Sequence, residues 1–126
     1  LARDSRVIID VGAHHGLYAL MARALNRSAS IVAFEPNERV FQVMTENIAL
    51  NRFVITEEKL AVSDSSGEAT FYDLPGDQPV AASLDAEVAR LRPDFVPTSV
   101  RTTRLDQYID DRGIGAPDLI KIDVER

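Results

Sequence analysis

Hydrophobic positions in this chain fall into short blocks that alternate between two periods. Val7-Ile8-Ile9-Asp10-Val11 is a nearly continuous apolar run with β-branched residues, and predicts a buried strand. It runs into Gly12-Ala13-His14-His15-Gly16. Behind that turn Leu17, Leu20, Met21, Ala24 and Leu25 recur at helical spacing, predicting a helix to about Asn26 with those residues inward. Asn26-Arg27-Ser28 breaks the pattern. Ile31-Val32-Ala33-Phe34 predicts a second buried strand, closed by Glu35-Pro36 because proline has no ladder donor. Asn37 is placed to cap the next helix, which carries Val40, Phe41, Met44 and Ile48 on one face and ends near Asn51. Strand, helix, strand, helix with short connections predicts a parallel sheet with right-handed crossovers.

The second half is less regular. Phe53-Val54-Ile55 and Lys59-Leu60-Ala61-Val62 are both apolar pieces, and the segment from Phe53 to Leu60 is the favoured third parallel strand. Ser63 to Gly67 is a turn cluster, and Ala69-Thr70-Phe71-Tyr72 reads as a strand leaving it. Leu74 to Thr98 holds most of the prolines and little periodicity; it reads as a surface excursion, weakly helical only over Leu84 to Leu91. Val100 to Leu105 is a strand candidate, and Asp106 a cap for a short helix that stops at Gly113. Asp118-Leu119-Ile120-Lys121-Ile122-Asp123-Val124-Glu125 is a fourth parallel strand ending in two carboxylates. Open parallel sheets are normally covered and continue to further strands, so a sheet stopping here predicts a fragment or a chain that needs a partner. An exposed edge at Asp118 to Glu125 favours self-association into a homo-oligomer.

Composition narrows the function classes. A chain of 126 residues is one domain, 1–126, with 45% apolar and 27% charged residues, an ordinary globular balance. A net charge of −6 and a pI near 4.8 argue against nucleic acid as a partner, since phosphates need a concentrated basic face. Arg101 and Arg104 lie close together, but two arginines read as a solvated edge. Without cysteine there is neither a disulfide framework nor a thiolate metal site, and no His and carboxylate spacing marks a metal centre. No apolar run approaches the roughly 20 residues of a membrane span. No signal-peptide pattern is visible, which leaves the cytoplasm as the default location.

The chemistry concentrates at strand ends. Gly12 and Gly16 stand in Gly-x-x-x-Gly spacing, unlike the dinucleotide fingerprint Gly-x-Gly-x-x-Gly. His14 stands where the middle glycine would admit a pyrophosphate, so the turn suits a ligand without a diphosphate. A nucleoside with an amino-acid tail fits better, its carboxylate on backbone N–H groups and its ammonium near an acid. Glu35, at the tip of the next strand, is suited to accept from two ribose hydroxyls. Two other readings stay open: a nicotinamide-dependent oxidoreductase on a similar sheet, and a non-catalytic interaction module that keeps the fold.

Asp10 to Tyr18, Ala33-Phe34-Glu35-Pro36, Asn47-Ile48-Ala49-Leu50-Asn51, Ala61-Val62-Ser63-Asp64 with Gly67, Arg104-Leu105-Asp106, and Pro117 to Glu125 follow one another in an order that resembles the FkbM family of S-adenosylmethionine-dependent methyltransferases. The resemblance covers nearly the whole chain. It implies an α/β, Rossmann-like methyltransferase fold with a mainly parallel sheet, truncated here after the fourth core strand. It also implies S-adenosylmethionine as cofactor and methyl transfer to a hydroxyl of a small molecule or glycan. Carried over residue by residue, Asp10, Gly12, Ala13, His14 and Gly16 would line the methionine end, and Glu35 and Pro36 the ribose. Ala61, Val62 and Asp64 would lie by the adenine, and Asp123 near the sulfonium. A hydroxyl acceptor also needs a base; the candidates at the strand tips are Asp123 and His14, then His15 and Glu125. Two positions depart from the family: His14 replaces its usual asparagine, and Arg126 its usual glycine.

Overall fold

The computed structural model describes residues 1–73 and 96–124. Strand β1 (Val7–Val11) is followed by helix α1 (Leu17–Leu25), strand β2 (Ser30–Phe34), helix α2 (Glu38–Leu50) and strand β3 (Thr56–Glu58). Strands β4 (Ala61–Val62), β5 (Gly67–Asp73) and β6 (Val96–Thr103) come next, then helix α3 (Leu105–Arg112) and strand β7 (Leu119–Ile122). The fold is α/β, as the strand and helix alternation predicts. Four strands form one parallel sheet in the order β3-β2-β1-β7, and a second sheet has the order β4-β6-β5.

Both faces of the parallel sheet are covered around β1 and β2, which is why those strands read as unbroken apolar runs. Ile8, Ile31 and Ala33 face α1 and α2 and pack with Ala19, Ala22, Met44 and Ile48. Their neighbours Ile9, Val11, Val32 and Phe34 face the other way, against Tyr108 of α3. The Phe34 and Tyr108 rings meet edge to face with centroids 4.9 Å apart. Tyr108 Oη donates to Glu58, and Arg112 pairs with the same carboxylate at 3.1 Å. Burial and the nearby Glu58 charge both push the Tyr108 hydroxyl pKa upward, so it stays a donor and pins α3 to β3. At the far end of the sheet the Asp118 carboxylate accepts from the Arg6 and Val7 amides at 2.7 and 2.9 Å, fixing where β7 starts beside β1.

Asn37 caps α2 as its position predicts, its Oδ1 accepting from the Val40 amide at 3.1 Å. Asn37→Ala should cost about 1 kcal/mol, lowering the melting temperature by roughly 4 °C in a domain of this size. A calorimetric melt checks it, and an unchanged melt would remove the cap from the account.

Three expectations are corrected. The inward face of α1 is Ala19 and Ala22, whereas Leu17, Met21, Ala24 and Leu25 are exposed and only Leu20 of the expected set packs on the core. Small alanines let a helix backbone settle close to a sheet, so close packing selects the alanine stripe over the bulkier one. Asp106 lies inside the first turn of α3; the cap position is Arg104, and Asp106 binds Arg104 and the Gln107 amide. The strand expected from Val100 begins earlier, at Val96, because it pairs along its length with β5. The favoured third parallel strand is confirmed in the short β3, while Ala61-Val62 joins the second sheet beside β6. The weak helix over Leu84 to Leu91 lies outside the described residues.

Candidate functional site

The carboxyl ends of β1, β2 and β7 meet at one edge of the sheet, where a strand-end turn of an α/β fold holds ligands. Directly after β1 the backbone turns sharply through three left-handed residues, Gly12, His14 and Gly16. Gly12 is required for two reasons. Its φ is +76°, and a Cβ there would overlap the Asp123 carbonyl oxygen and lie 2.9 Å from the carbonyl carbon. The Asp123 amide in turn donates to the Val11 carbonyl at 3.0 Å, so the two segments are clamped backbone to backbone. His14 has no such freedom, and its φ of +54° is the strained point of the turn.

Glu35 explains how that conformation is held. It is buried, and its Oε1 accepts from the His14 amide at 2.9 Å while its Oε2 accepts from the Asn37 amide at 2.9 Å. One carboxylate thus ties the turn after β1 to the start of α2. Each oxygen still has lone-pair capacity for a further donor, which is what a ribose diol requires. Burial raises the Glu35 pKa, against the two backbone hydrogen bonds that lower it. His14 Nδ1 stands 4.0 Å from Oε1, so an ion pair forms whenever the imidazole carries a proton.

Asp10 sits one residue before the end of β1 and is wholly buried, and neither carboxylate oxygen has a hydrogen-bond partner. Burial raises its pKa, with Lys121 opposing. Lys121, on β7 in register with Asp10, places Nζ 3.6 Å from Asp10 Oδ1 and 3.8 Å from Asp123 Oδ2. The sequence pattern did not mark Lys121 as a site residue. The lysine between Ile120 and Ile122 breaks the apolar run of β7, and it is the pairing with β1 that turns it toward α1.

The expected site residues divide into two groups. Asp10, Gly12, Ala13, His14, Gly16, Glu35 and Asp123 are brought together at the strand ends, with Pro36 leading into α2. Ala61 and Val62 lie on the second sheet, Ala61 buried and Val62 packed near Val11, Phe34 and Tyr108. Asp64 is exposed beyond them, accepting from Ser63 Oγ at 3.3 Å. One expectation changes: the Gly12 and Ala13 amides are bonded to the Phe34 carbonyl, the His14 amide to Glu35 and the Gly16 amide to the Ala13 carbonyl. These four N–H groups are already engaged, so the turn does not offer them freely to a ligand carboxylate. Glu125 and Arg126 lie outside the described residues. Among the described residues no cluster of three or more His, Asp or Glu could hold a metal ion, and no helix is long and apolar enough to cross a membrane.

Fold and site together define an α/β domain with carboxylates gathered at the ends of its parallel strands. The sequence pattern of the methyltransferase FkbM domain matches residues 10–125, and the chain belongs to the FkbM methyltransferase family. It is 30% identical, over 98% of its length, to the 31-O-demethyl-FK506 methyltransferase FkbM of Streptomyces tacrolimicus. It is 31% identical, over 99% of its length, to the 2-O-methyltransferase NoeI of Sinorhizobium fredii. A third relative, at 27% identity over 98% of the chain, is the hexuronic acid methyltransferase AglP of Haloferax volcanii. The chain covers 57%, 55% and 47% of these three, so it spans about half the length of the curated relatives it matches. No solved structure matches the chain.

Proposed function

We propose that this chain forms the cofactor-binding part of an S-adenosylmethionine-dependent O-methyltransferase that acts on a hydroxyl of a small molecule or glycan. The observation that carries the reading is the charge at the strand ends. Three carboxylates stand there against one lysine: Lys121 lies within 4 Å of Asp10 and Asp123, Glu35 faces His14, and Asp10 is buried with no hydrogen bond. Such a grouping attracts a cationic ligand and repels a diphosphate, which disfavours a nicotinamide dinucleotide. Two of the relatives' names specify an oxygen position, 31-O and 2-O, and a third names a hexuronic acid as what is methylated.

The residues present fit a sulfonium nucleoside. Glu35 has acceptor capacity left for a ribose diol, and Gly12 lets the segment after β7 close on the turn after β1, which brings Asp123 to the strand ends. When bound, the cofactor would supply an electrophilic methyl group for the acceptor oxygen. The chain's part is to align the acceptor and to take up the hydroxyl proton. Asp123 and His14 are the proposed proton acceptors; both are exposed enough to meet an acceptor, and Glu35 lies beside His14 to pair with the imidazolium.

Isothermal titration with S-adenosylhomocysteine tests the reading. Binding should be accompanied by thermal stabilisation of about 2.7 kcal/mol at about 100 times Kd, and Glu35→Ala should abolish both. No heat and no thermal shift would sink the proposal for this chain, and a fluorescence titration showing NADH binding would favour an oxidoreductase.

A further inference from the structure

A lysine is seldom drawn into the covered face of a sheet unless a charge meets it there. Lys121 is drawn in and met. On β7 it is half-buried while Ile120 and Ile122 on either side are exposed. Register with β1 puts Lys121 on the same face as Asp10, the face covered by α1. There Nζ lies 3.6 Å from Asp10 Oδ1, 3.8 Å from Asp123 Oδ2 and 5.3 Å from the centre of the Tyr18 ring.

This placement bears on Asp10. A buried carboxylate with no hydrogen bond avoids the cost of its charge by binding a proton. The charged groups that face it are Lys121 and Asp123 from the β7 side and His14 from the turn after β1. Asp123 opposes ionisation, and His14 assists only when protonated. Lys121 is thus the cationic side chain paired with Asp10 among the described residues. At 3.6 Å the contact is electrostatic and uses up none of the lone pairs on Asp10.

We propose that Lys121 is a positioning residue that keeps Asp10 ionised, so that the methionine end of the site retains the negative charge that recognises a ligand ammonium group. The inference rests on the cofactor reading above, but its first test does not. Lys121 acts mainly through its charge, which favours the ionised form of its neighbour. Arginine should therefore substitute for it and an uncharged side chain should not.

The ligand-free protein is titrated by carbon-13 NMR of its carboxyl groups, with Asp10→Asn assigning the Asp10 signal. Lys121→Met should raise the proton affinity of Asp10 about tenfold, one pH unit in its midpoint, and Lys121→Arg should restore it. If the Met variant does not fold, Lys121→Gln makes the same test with a polar side chain. An unmoved midpoint in a folded uncharged variant overturns the proposal. The second readout compares two ligands at the pH where Asp10 of the unaltered protein is half-ionised. There a one-unit rise should lower S-adenosylhomocysteine affinity about fivefold in Lys121→Met, and 5′-methylthioadenosine, which lacks the amino-acid tail, should bind as before. Equal loss for both ligands would make Lys121 a general structural residue and overturn the proposal. If the unaltered protein binds neither ligand, the cofactor reading fails, while the Asp10 titration still decides the role of Lys121.

Discussion

Gly12→Ala is expected to be the most damaging single substitution at the strand-end turn. Two costs add. An L residue held in the left-handed region loses about 1–2 kcal/mol, and φ at this position is +76°. Crowding a packed site costs about 1–3 kcal/mol more, and here the Cβ would meet the Asp123 carbonyl, which is backbone and cannot swing aside. The total of about 2–5 kcal/mol corresponds to a melting temperature lower by roughly 8–20 °C. Gly16 makes the comparison sharp. Its φ is +88°, but an added Cβ meets Met44 Cγ at 2.9 Å, a flexible side chain that can move, so Gly16→Ala should keep only the backbone cost. Thermal melts followed by circular dichroism test both. A Gly12→Ala protein that melts within 2 °C of the unaltered one would mean that β1 and the end of β7 are not clamped as described.

The difference between Gly12 and Gly16 also shows how much of the site was legible in the sequence. Gly12, Gly16 and Glu35 could be read directly, because each stands at the tip of a short apolar run and a parallel order places those tips together. Asp123 followed from the same rule. Lys121 did not, because its meaning depends on the register of β7 against β1, and nothing local specifies which residues of two distant strands face each other. The engaged N–H groups of the turn were also invisible. That Glu35 takes the His14 amide depends on a left-handed backbone at a residue whose type gives no hint of it.

The helices show the complementary limit. Asn37 was legible because capping is a local interaction between a side chain and an amide three residues on. The inward face of α1 was not, because Leu17, Met21 and Leu25 form as regular a stripe as Ala19 and Ala22. Hydrophobicity favours the first stripe and close approach to the sheet favours the second. Only the position of the neighbouring strands decides between them, and that is not encoded in the nine residues of the helix.

Asp10→Asn is expected to make the ligand-free protein more stable and a poorer binder. Burial raises the Asp10 pKa above its usual 3.8, so in the window just above that value the folded chain holds a proton that the unfolded chain has released. Stability therefore falls as pH rises through that window, and the full penalty is present once Asp10 is ionised in both states. Lys121 offsets part of it, but at 3.6 Å it does not supply a hydrogen bond. Asparagine has nearly the same shape and no charge to desolvate. The amide stays as unpaired as the carboxylate was, and what is shed is the cost of a buried charge; at about 1–3 kcal/mol, Asp10→Asn should melt several degrees higher at pH 7. The gain should disappear below about pH 4, where the aspartate is protonated in both states. Binding of S-adenosylhomocysteine should weaken at least about tenfold, a loss of about 1.4 kcal/mol, because the negative charge at the methionine end is gone. A melt lower than that of the unaltered protein at pH 7 would show that Lys121 compensates Asp10 completely. The same substitution in a Lys121→Met background should then separate the two: the gain grows if Lys121 was offsetting the buried charge, and stays the same if it was not.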